Sequence, residues 1–530
     1  MKSLFIVSII AVIAWGAENI VQIFPTTSSD IQALDQLNLP IYAQMENSYI
    51  GLLSSSQILL LEQSKINYKT ICLAPHDGDF YIVTPPAAAD LNYSAAIISN
   101  YARILFEHAG VFFAVGEPQM IEYLPSLRFH ITRVNRRPIV LAQKFLPYPI
   151  NSKYNPVVKW VIDQITPGEL SRFVRDLSGE NPVTVGGRTD TIRSRYTNNQ
   201  KNSVALKYYY EKMQSFGVDS IIYHRFSSDS NVIATRIGRV YPKQQYLIGG
   251  HIDDVPSSGN APGADDNATG TIAGLIAAKY IRGIPFKRTI KFVAWNAEEQ
   301  GLIGSDYYAS EAAARGDSIR GYLNGDMLAY ESSNMDYIWC YNANRPGSIV
   351  ISTKFTQMNT DYSLGLRVRI STSMPSWSDM YSFWINGFEA ICNIENDNNP
   401  YYHTVNDRIN TLDTIYYCKV VKCMVATLLE LAEPDTAFQD VGEENQLSLS
   451  SSVFSVKPNP SRGDVQFVVI DPRFEKGILR IYGIAGKLIK AIDQPIFANR
   501  SYRLKLASGV YFAKYNTDNS SVTKKFVIMN

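Results

Sequence analysis

The sequence predicts an α/β fold for the middle of the chain, in which helices sandwich a mixed, largely parallel central sheet. An N-terminal α+β domain and a C-terminal all-β sandwich are expected on either side of it. Three observations lead to this prediction. Apolar strand patterns alternate with helical patterns from about residue 220 to residue 432, residues 17–150 mix short β and α patterns, and residues 453–530 show strands and turns without an obvious helix.

The length and composition fit a globular protein of several domains. The chain has 530 residues, which at about 150 residues per domain suggests three or four domains. Hydrophobic residues make up 46% and charged residues 19%, which excludes a disordered or collagen-like chain. The net charge of +1, without a basic stripe, gives no indication of nucleic-acid binding. Five cysteines without a C-x-x-C motif argue against a disulfide scaffold and a cysteine-bound zinc.

The first residues predict a secretory signal. A positively charged start precedes an apolar stretch from Leu4 to Ala14, which is too short to span a bilayer comfortably. Ala14 and Gly16 place small residues at the −3 and −1 positions of a cleavage site. We therefore expect a removable signal at residues 1–16, with an uncleaved membrane anchor as the alternative. No later stretch reaches the roughly 18 apolar residues of a membrane helix, so no transmembrane anchor is expected in the mature chain.

A weak internal repeat predicts the N-terminal α+β domain at residues 17–150. A strand, helix and strand pattern between Tyr49 and Ile71 recurs between Val111 and Ile131, about 62 residues later. This region lies between the signal and the predicted α/β domain, and it carries no motif typical of a metal site. Two interpretations remain open, a propeptide or intramolecular chaperone and a permanent accessory domain.

Residues 151–435 are predicted to form the α/β domain. Helices are expected at 167–177, 202–216, 269–281, 305–315 and 412–432, and strands at 232–237, 245–250, 289–295 and 321–324. A polar linker at 436–452 and the β-sandwich at 453–530 come after it.

Side chains typical of metal sites gather where these strands end. Ligands in α/β sheets collect at the carboxyl ends of strands, so we expect these side chains to meet. Imidazoles and carboxylates without thiolates suit a pair of zinc ions, with manganese or cobalt as substitutes, and two such ions can activate one water together. The residues are His251, Asp253, Asp265, Asp266, Glu298, Glu299, Asp326 and His403.

Five motifs in this region resemble those of the dinuclear zinc aminopeptidases, a family that includes bacterial leucyl aminopeptidases and is related to glutamate carboxypeptidases and glutaminyl cyclases. The resemblance covers about residues 160–435 and rests on the motifs at 251–253, 263–270, 296–305, 324–327 and 403–404. It implies two Zn²⁺ per chain and peptide substrates with a free N-terminus. The implied zinc ligands are His251 and Asp326 for one ion, Glu299 and His403 for the other, and Asp266 as the bridge between them.

The resemblance also implies roles around the metals. Glu298 would be the general base and Asp253 would orient His251. Met327, Tyr401 and Tyr402 are tentative lining residues of the substrate pocket and suggest an apolar preference.

Two positions depart from the familiar pattern. Asp254 stands where a smaller residue is usual, and Met380 stands where many relatives carry histidine. The remaining histidines are interpreted as surface or core residues: His76, His108, His130 and His224.

The leading hypothesis is therefore a secreted zinc aminopeptidase. The alternatives are a single-zinc glutaminyl cyclase, a carboxypeptidase and an inactive binding scaffold.

The C-terminal region resembles a different kind of module, the type IX (Por) secretion sorting domain. The motifs lie at 458–463, 481–487, 506–512 and 524–526. The resemblance implies the type IX secretion machinery as a partner, and export through the periplasm to the cell surface or medium. A carbohydrate-binding or spacer β-sandwich is the alternative.

Overall fold

The computed structural model describes residues 18–73, 78–86, 89–135, 137–141, 154–256, 259–434, 454–457, 464–469, 477–483, 488–496, 501–507, 509–516 and 521–528. The chain divides into two compact units, residues 1–433 and 434–530. The predicted signal at 1–16 and linker at 436–452 lie outside the described residues, so their bounds remain predictions.

The first unit begins with two four-stranded antiparallel sheets of the same topology. The segment that forms the first sheet has the elements Asn19–Phe24 (β1), Ser28–Leu37 (α1), Ile41–Met45 (β2), Ser48–Leu53 (β3), Ser55–Gln63 (α2) and Asn67–Leu73 (β4). The segment that forms the second sheet has the elements Asp79–Thr84 (β5), Leu91–Ile98 (α3), Arg103–His108 (β6), Val111–Gly116 (β7), Pro118–Ile121 (α4) and His130–Arg133 (β8).

The strand orders β2-β3-β1-β4 and β6-β7-β5-β8 are equivalent, and both copies have a β-α-β-β-α-β sequence. The repeat that the sequence predicts is therefore present as two complete copies.

Local sequence explains where the first two helices begin. The side chains of Thr27 and Ser54 each accept a hydrogen bond from the backbone three residues later, and the side chains of Asp30 and Gln57 accept one from the cap backbone in return. These reciprocal capping boxes satisfy donors that a helix start otherwise leaves unpaired.

The rest of the first unit is an α/β sandwich around an eight-stranded sheet of order β11-β12-β14-β13-β15-β18-β16-β17. Its helices are Pro156–Asp163 (α5), Pro167–Leu177 (α6), Gln200–Ser215 (α7), Gly270–Tyr280 (α8), Ile303–Arg315 (α9), Pro346–Asp361 (α10), Met380–Ile385 (α11) and Thr414–Ala432 (α12). Its strands are Val183–Val185 (β9), Arg188–Asp190 (β10), Ser220–Phe226 (β11), Asp229–Arg236 (β12), Tyr241–His251 (β13), Arg288–Trp295 (β14), Ser318–Gly325 (β15), Tyr337–Tyr341 (β16), Arg367–Ser371 (β17) and Ala390–Glu395 (β18), with β9 and β10 forming a separate hairpin.

The centre of this sheet is parallel. Four neighbouring strands run parallel, in the order β14-β13-β15-β18. Antiparallel pairing occurs on both sides of them: β12 pairs with β14 and with β11 on one side, and β16 pairs with β18 on the other. The predicted α/β class with a mixed, largely parallel sheet is confirmed. Both faces are covered, which agrees with the unbroken burial of most of α8 and of the ends of β13 and β14.

One apolar cluster joins the N-terminal sheets to the sandwich. It combines Ile20, Phe80 and Phe113 from the N-terminal sheets with Trp295 and Trp384 from the sandwich, all of them buried. The two parts of this unit therefore share a core, which orders the N-terminal sheets against the domain that carries the metal-type motifs.

The second unit is all β, as predicted. Its strands are Phe454–Lys457 (β19), Asp464–Val469 (β20), Gly477–Gly483 (β21), Leu488–Ile496 (β22), Ser501–Lys505 (β23), Gly509–Asn516 (β24) and Ser521–Ile528 (β25). They form the sheets β19-β20-β23 and β22-β21-β24-β25. Buried side chains from both sheets, including Phe467 and Phe526, make one core, which is the arrangement of a β-sandwich.

Two further expectations concern disulfide bonds and membrane-spanning helices. All five cysteines are free thiols, in agreement with the prediction that this is not a disulfide scaffold. Among the described helices, none combines the length and the apolar character needed to cross a bilayer.

A candidate dinuclear metal centre

The parallel strands bring the predicted ligands to one edge of the sheet. His251 is the last residue of β13, Glu298 and Glu299 come after the neighbouring β14, and Asp326 comes after β15 on the other side. The carboxyl ends of adjacent parallel strands meet at the same edge, so their side chains converge there. Two ligands come from outside the strands: Asp266 lies in the turn before α8, and His403 lies in the loop between β18 and α12.

Asp266 lies between the two histidines. Its Oδ1 is 3.2 Å from His251 Nε2 and its Oδ2 is 3.0 Å from His403 Nε2. Asp326 Oδ1 lies 3.6 Å from His251 Nε2, and Glu299 Oε2 lies 3.1 Å from His403 Nε2. The side chains therefore form three overlapping groups of three possible ligands, of which two share Asp266 and the third consists of His251, Glu298 and Glu299.

The hydrogen-bond chemistry of this cluster fits bound cations. His403 Nδ1 faces the carbonyl oxygen of Pro125, so Nδ1 carries a proton and Nε2 is the nitrogen that faces the carboxylates. That Nε2 and Glu299 Oε1 are both buried and have no hydrogen-bond partner among the described residues. Because Nε2 lies about 3 Å from carboxylate oxygens, a positive charge is required between them, and either a proton or a metal ion supplies it.

The charge balance leads to the same conclusion. Asp266, Glu298, Glu299 and Asp326 are all buried, and together they carry up to four negative charges that two divalent cations would balance. Burial lowers the pKa of His403, but Glu299 and Asp266 outweigh it and raise that pKa to about 10. The cluster thus favours positive charge at this point, which is what a metal ion supplies.

Asp253 holds the two glutamates in place. Its Oδ1 and Oδ2 accept hydrogen bonds of 3.1 Å from the backbone N–H groups of Glu298 and Glu299. His251 Nδ1 lies 3.2 Å from the backbone carbonyl of Asp253 and 3.7 Å from its carboxylate. Asp253 therefore orients the histidine mainly through its carbonyl, while its carboxylate positions the backbone that carries Glu298.

The structure explains the unusual Asp254. Its carboxylate accepts a hydrogen bond from the Arg195 backbone N–H at 2.7 Å and pairs with the Arg195 guanidinium at 3.2 Å. Arg195 is fully buried and donates to the carbonyls of Ile252, Pro262 and Gly263. This pair ties together both ends of the loop between His251 and Asp266, so Asp254 has a structural partner.

Glu298 is placed differently from the other carboxylates. Its Oε2 lies 3.9 Å from His251 Nε2, farther than the closest ligand atoms. Burial raises the pKa of Glu298 well above its ordinary value, although the nearby His251 acts in the opposite direction. A carboxylate with a raised proton affinity beside a metal site has the chemistry of a general base.

A cavity of about 300 Å³ opens onto this cluster. Met327 and Tyr402 line it, as the sequence suggests, whereas Tyr401 is not among its lining residues and packs edge-on against Tyr330. Trp377 adds a further aromatic wall. The role of Tyr401 as a lining residue of the substrate pocket therefore stays a prediction.

His130 is a functional candidate that the sequence did not reveal. It lines the cavity, with its ring nitrogens 3.2 Å from the Tyr402 hydroxyl, and its ring centroid lies 6.2 Å from that of His403. Burial lowers its pKa to about 4, so the ring is neutral near pH 7. It was expected to be a surface or core residue, and no local motif marks it. His108 and His224 bond to Asn47 and Glu311 respectively, and His76 lies outside the described residues.

The fold and the cluster define a class of protein, an α/β domain in which possible metal ligands gather at the carboxyl ends of parallel strands. Comparisons with known proteins add a resemblance at the family level. Residues 231–428 match the model of peptidase family M28. Residues 455–529 match the secretion system C-terminal sorting domain. Both resemblances seen in the sequence are confirmed for these two stretches, and the sorting domain supports the expected secreted or cell-surface location.

Similar proteins agree with this assignment. A probable leucine aminopeptidase 2 of Aspergillus fumigatus is 31% identical over 183 residues, which are 33% of this chain and 34% of that protein. A probable leucine aminopeptidase of Trichophyton verrucosum is 29% identical over 303 residues, 54% of this chain and 76% of that protein. The chain thus spans about a third of the first relative's length and about three quarters of the second's. The crystal structure of the Legionella pneumophila LapA aminopeptidase shares the fold, with a TM-score of 0.54 and 20% identity over 67% of this chain and 99% of that one.

Proposed function

We propose that this protein is a dinuclear zinc aminopeptidase that removes N-terminal, preferentially apolar residues from peptides. The observation that carries the proposal is the position of Asp266, whose two oxygens each lie about 3 Å from a different histidine nitrogen. A carboxylate in that position can bridge two cations. The similar proteins named as leucine aminopeptidases support the choice of reaction.

Each ion would have its own protein ligands. His251 and Asp326 would hold one Zn²⁺, Glu299 and His403 would hold the other, and Asp266 would belong to both. When bound, the two ions supply Lewis-acid chemistry, which polarises a carbonyl and lowers the pKa of water.

The protein's own groups move the proton. Glu298 lies beside the ligands without being the closest atom to either histidine, which leaves its carboxylate free to take a proton from the attacking water. The same carboxyl group then donates that proton to the leaving amine. Asp253 fixes the backbone of Glu298 through a 3.1 Å hydrogen bond, which keeps the base in position.

The cavity suggests how the substrate is held. Its walls contain acidic groups besides the ligands, Glu395 and Asp397, which suit a positively charged α-amino group. Met327, Trp377 and Tyr402 offer apolar surface for the side chain of the first residue. An N-acetylated peptide has no positive charge there and is expected to bind poorly.

A digestion experiment tests the proposal. Purified protein is incubated with matched peptides that carry a free or an acetylated N-terminus, and the products are identified by mass spectrometry. We expect stepwise loss of N-terminal residues from the free peptides alone. Shortening from the C-terminus would indicate a carboxypeptidase, conversion of N-terminal glutamine to pyroglutamate would indicate a cyclase, and either result would contradict the proposal.

A further inference from the structure

The N-terminal sheets contribute one wall of the cavity. Pro86, Arg128 and His130 of the N-terminal sheets line it together with Trp377 and Tyr402 of the sandwich. The cavity is therefore built from two segments that are far apart in sequence. A peptide in this cavity would touch both of them.

Specific bonds hold this wall against the metal centre. The Pro125 carbonyl accepts the hydrogen bond from Nδ1 of the ligand His403. Thr132 donates a hydrogen bond to the carbonyl of Ser376, next to Trp377. Arg128 Nη2 donates to the Pro400 carbonyl at 2.7 Å, close to Tyr402. Together with the shared apolar core, these contacts make the N-terminal wall a fixed part of the site.

Arg128 is chemically distinct within the cavity. Among the described residues that line it, Arg128 is the only lysine or arginine, whereas six are aspartate or glutamate. One nitrogen of its guanidinium bonds to Pro400, and within the described part of the chain Nε and Nη1 make no hydrogen bond. The guanidinium therefore keeps donors available, at a half-buried position on the cavity wall.

We propose that Arg128 binds the C-terminal carboxylate of short peptides and so makes the enzyme selective for them. This inference rests on the proposed function, which places the amino end of the substrate at the metal centre and its acidic surroundings. The cavity volume of about 300 Å³ lies at the lower end of the range for small-molecule pockets, a size that suits a di- or tripeptide. Guanidinium groups pair with carboxylates through two parallel hydrogen bonds, and the second N–H of Nη2 together with Nε or Nη1 leaves Arg128 the donors for such a pair.

A different role for Arg128 would be purely structural, as a brace for the loop at Pro400. The two roles differ in one measurable property. If Arg128 only stabilises the loop at Pro400, its replacement should affect the hydrolysis of every substrate alike. If Arg128 binds the carboxylate, its replacement should affect only peptides that end in a free carboxylate.

The test compares a tripeptide such as Leu-Gly-Gly with its C-terminal amide, using kcat/KM for release of the N-terminal residue. The full-length protein and the R128Q variant are measured side by side. R103Q is the matched control, because Arg103 is an exposed arginine of the same N-terminal sheets that does not line the cavity. We expect the unmodified protein to prefer the free acid about tenfold, the lower range for a hydrogen bond to a charged group.

The expected result is that R128Q loses this preference while still hydrolysing the amide measurably, and that R103Q retains it. An equal preference in the unmodified protein and R128Q would overturn the inference, and so would an equal loss of both activities in R128Q. In either case continued N-terminal hydrolysis by the unmodified protein leaves the proposed function standing. Release of C-terminal residues by the unmodified protein would contradict the proposed function and, with it, this role of Arg128.

Discussion

Replacing Asp266 by asparagine should remove metal from the site, whereas the same replacement at Asp265 should not. Asp266 offers one oxygen to each side of the cluster, at 3.2 Å from His251 Nε2 and 3.0 Å from His403 Nε2. An amide has a single oxygen, so D266N turns an NH2 group toward one of the two histidines. The side chain can then no longer bridge two cations, because an NH2 group, which does not bind cations, replaces one of its two oxygens.

Asp265 has hydrogen-bond partners outside the proposed ligand cluster. Its Oδ1 accepts a hydrogen bond from the Ala329 backbone at 3.0 Å, and its Oδ2 accepts one from the Asn399 side chain at 2.9 Å. D265N disturbs these buried bonds, which should lower the free energy of unfolding by about 1–3 kcal/mol. No ligand is removed, so the metal content should persist.

The expected loss of metal affinity in D266N is large because Asp266 would be a ligand of both ions. Losing an outer partner of a metal ligand typically costs about 10–100-fold in affinity, so the loss of a ligand shared by two ions should exceed about 100-fold. Elemental analysis after dialysis against a weak chelator measures the zinc retained by both variants, and circular dichroism shows whether each is folded. Retention of zinc by folded D266N, together with its loss from folded D265N, would refute this assignment of the turn.

Three further predictions concern the base, the sorting domain and the N-terminal segment. E298Q should keep its zinc but lose about 10²–10⁴-fold in kcat, because an amide cannot accept the proton of water. Near-normal turnover in E298Q would remove Glu298 from the mechanism, and E62Q, at an exposed glutamate outside the cavity lining, should behave like the unmodified protein. Deletion of residues 453–530 should leave an active enzyme, since the proposed ligands and base all lie in the other compact unit, and in a host with type IX machinery that enzyme should accumulate in the periplasm. Normal arrival of the truncated enzyme in the medium would contradict the sorting role, and failure to fold would show that the β-sandwich is part of the enzyme. Cleavage near Pro147 and separation of the N-terminal segment should lower peptidase activity, because His403 loses the carbonyl of Pro125, and a clear rise in activity would instead show an inhibitory propeptide.

The convergence of His251, Glu299 and Asp326 was predictable because these residues stand at or just after recognisable strands. β13, β14 and β15 have apolar patterns, and the topology of parallel sheets places their carboxyl ends at one edge. The end of α7 was equally predictable, because Gly217, which follows the C-cap residue Phe216, adopts a left-handed conformation.

Contacts between distant segments could not be predicted from the sequence. His130 and Tyr402 are 272 positions apart and meet only because the N-terminal sheets pack on the sandwich. Arg195 is fully buried although arginine is normally exposed, and its partner Asp254 looked like a departure from a motif. Both cases depend on tertiary packing, which hydrophobic periodicity does not encode.

The central claim is that two metal ions act together in one site, and a zinc titration tests it most directly. Metal-free protein is titrated with Zn²⁺ while the release of an N-terminal residue from a free peptide is followed. The account predicts that activity is absent without metal and reaches its maximum at two equivalents of Zn²⁺ per chain. Full activity at a single equivalent, with no further ion bound at the second, would contradict it.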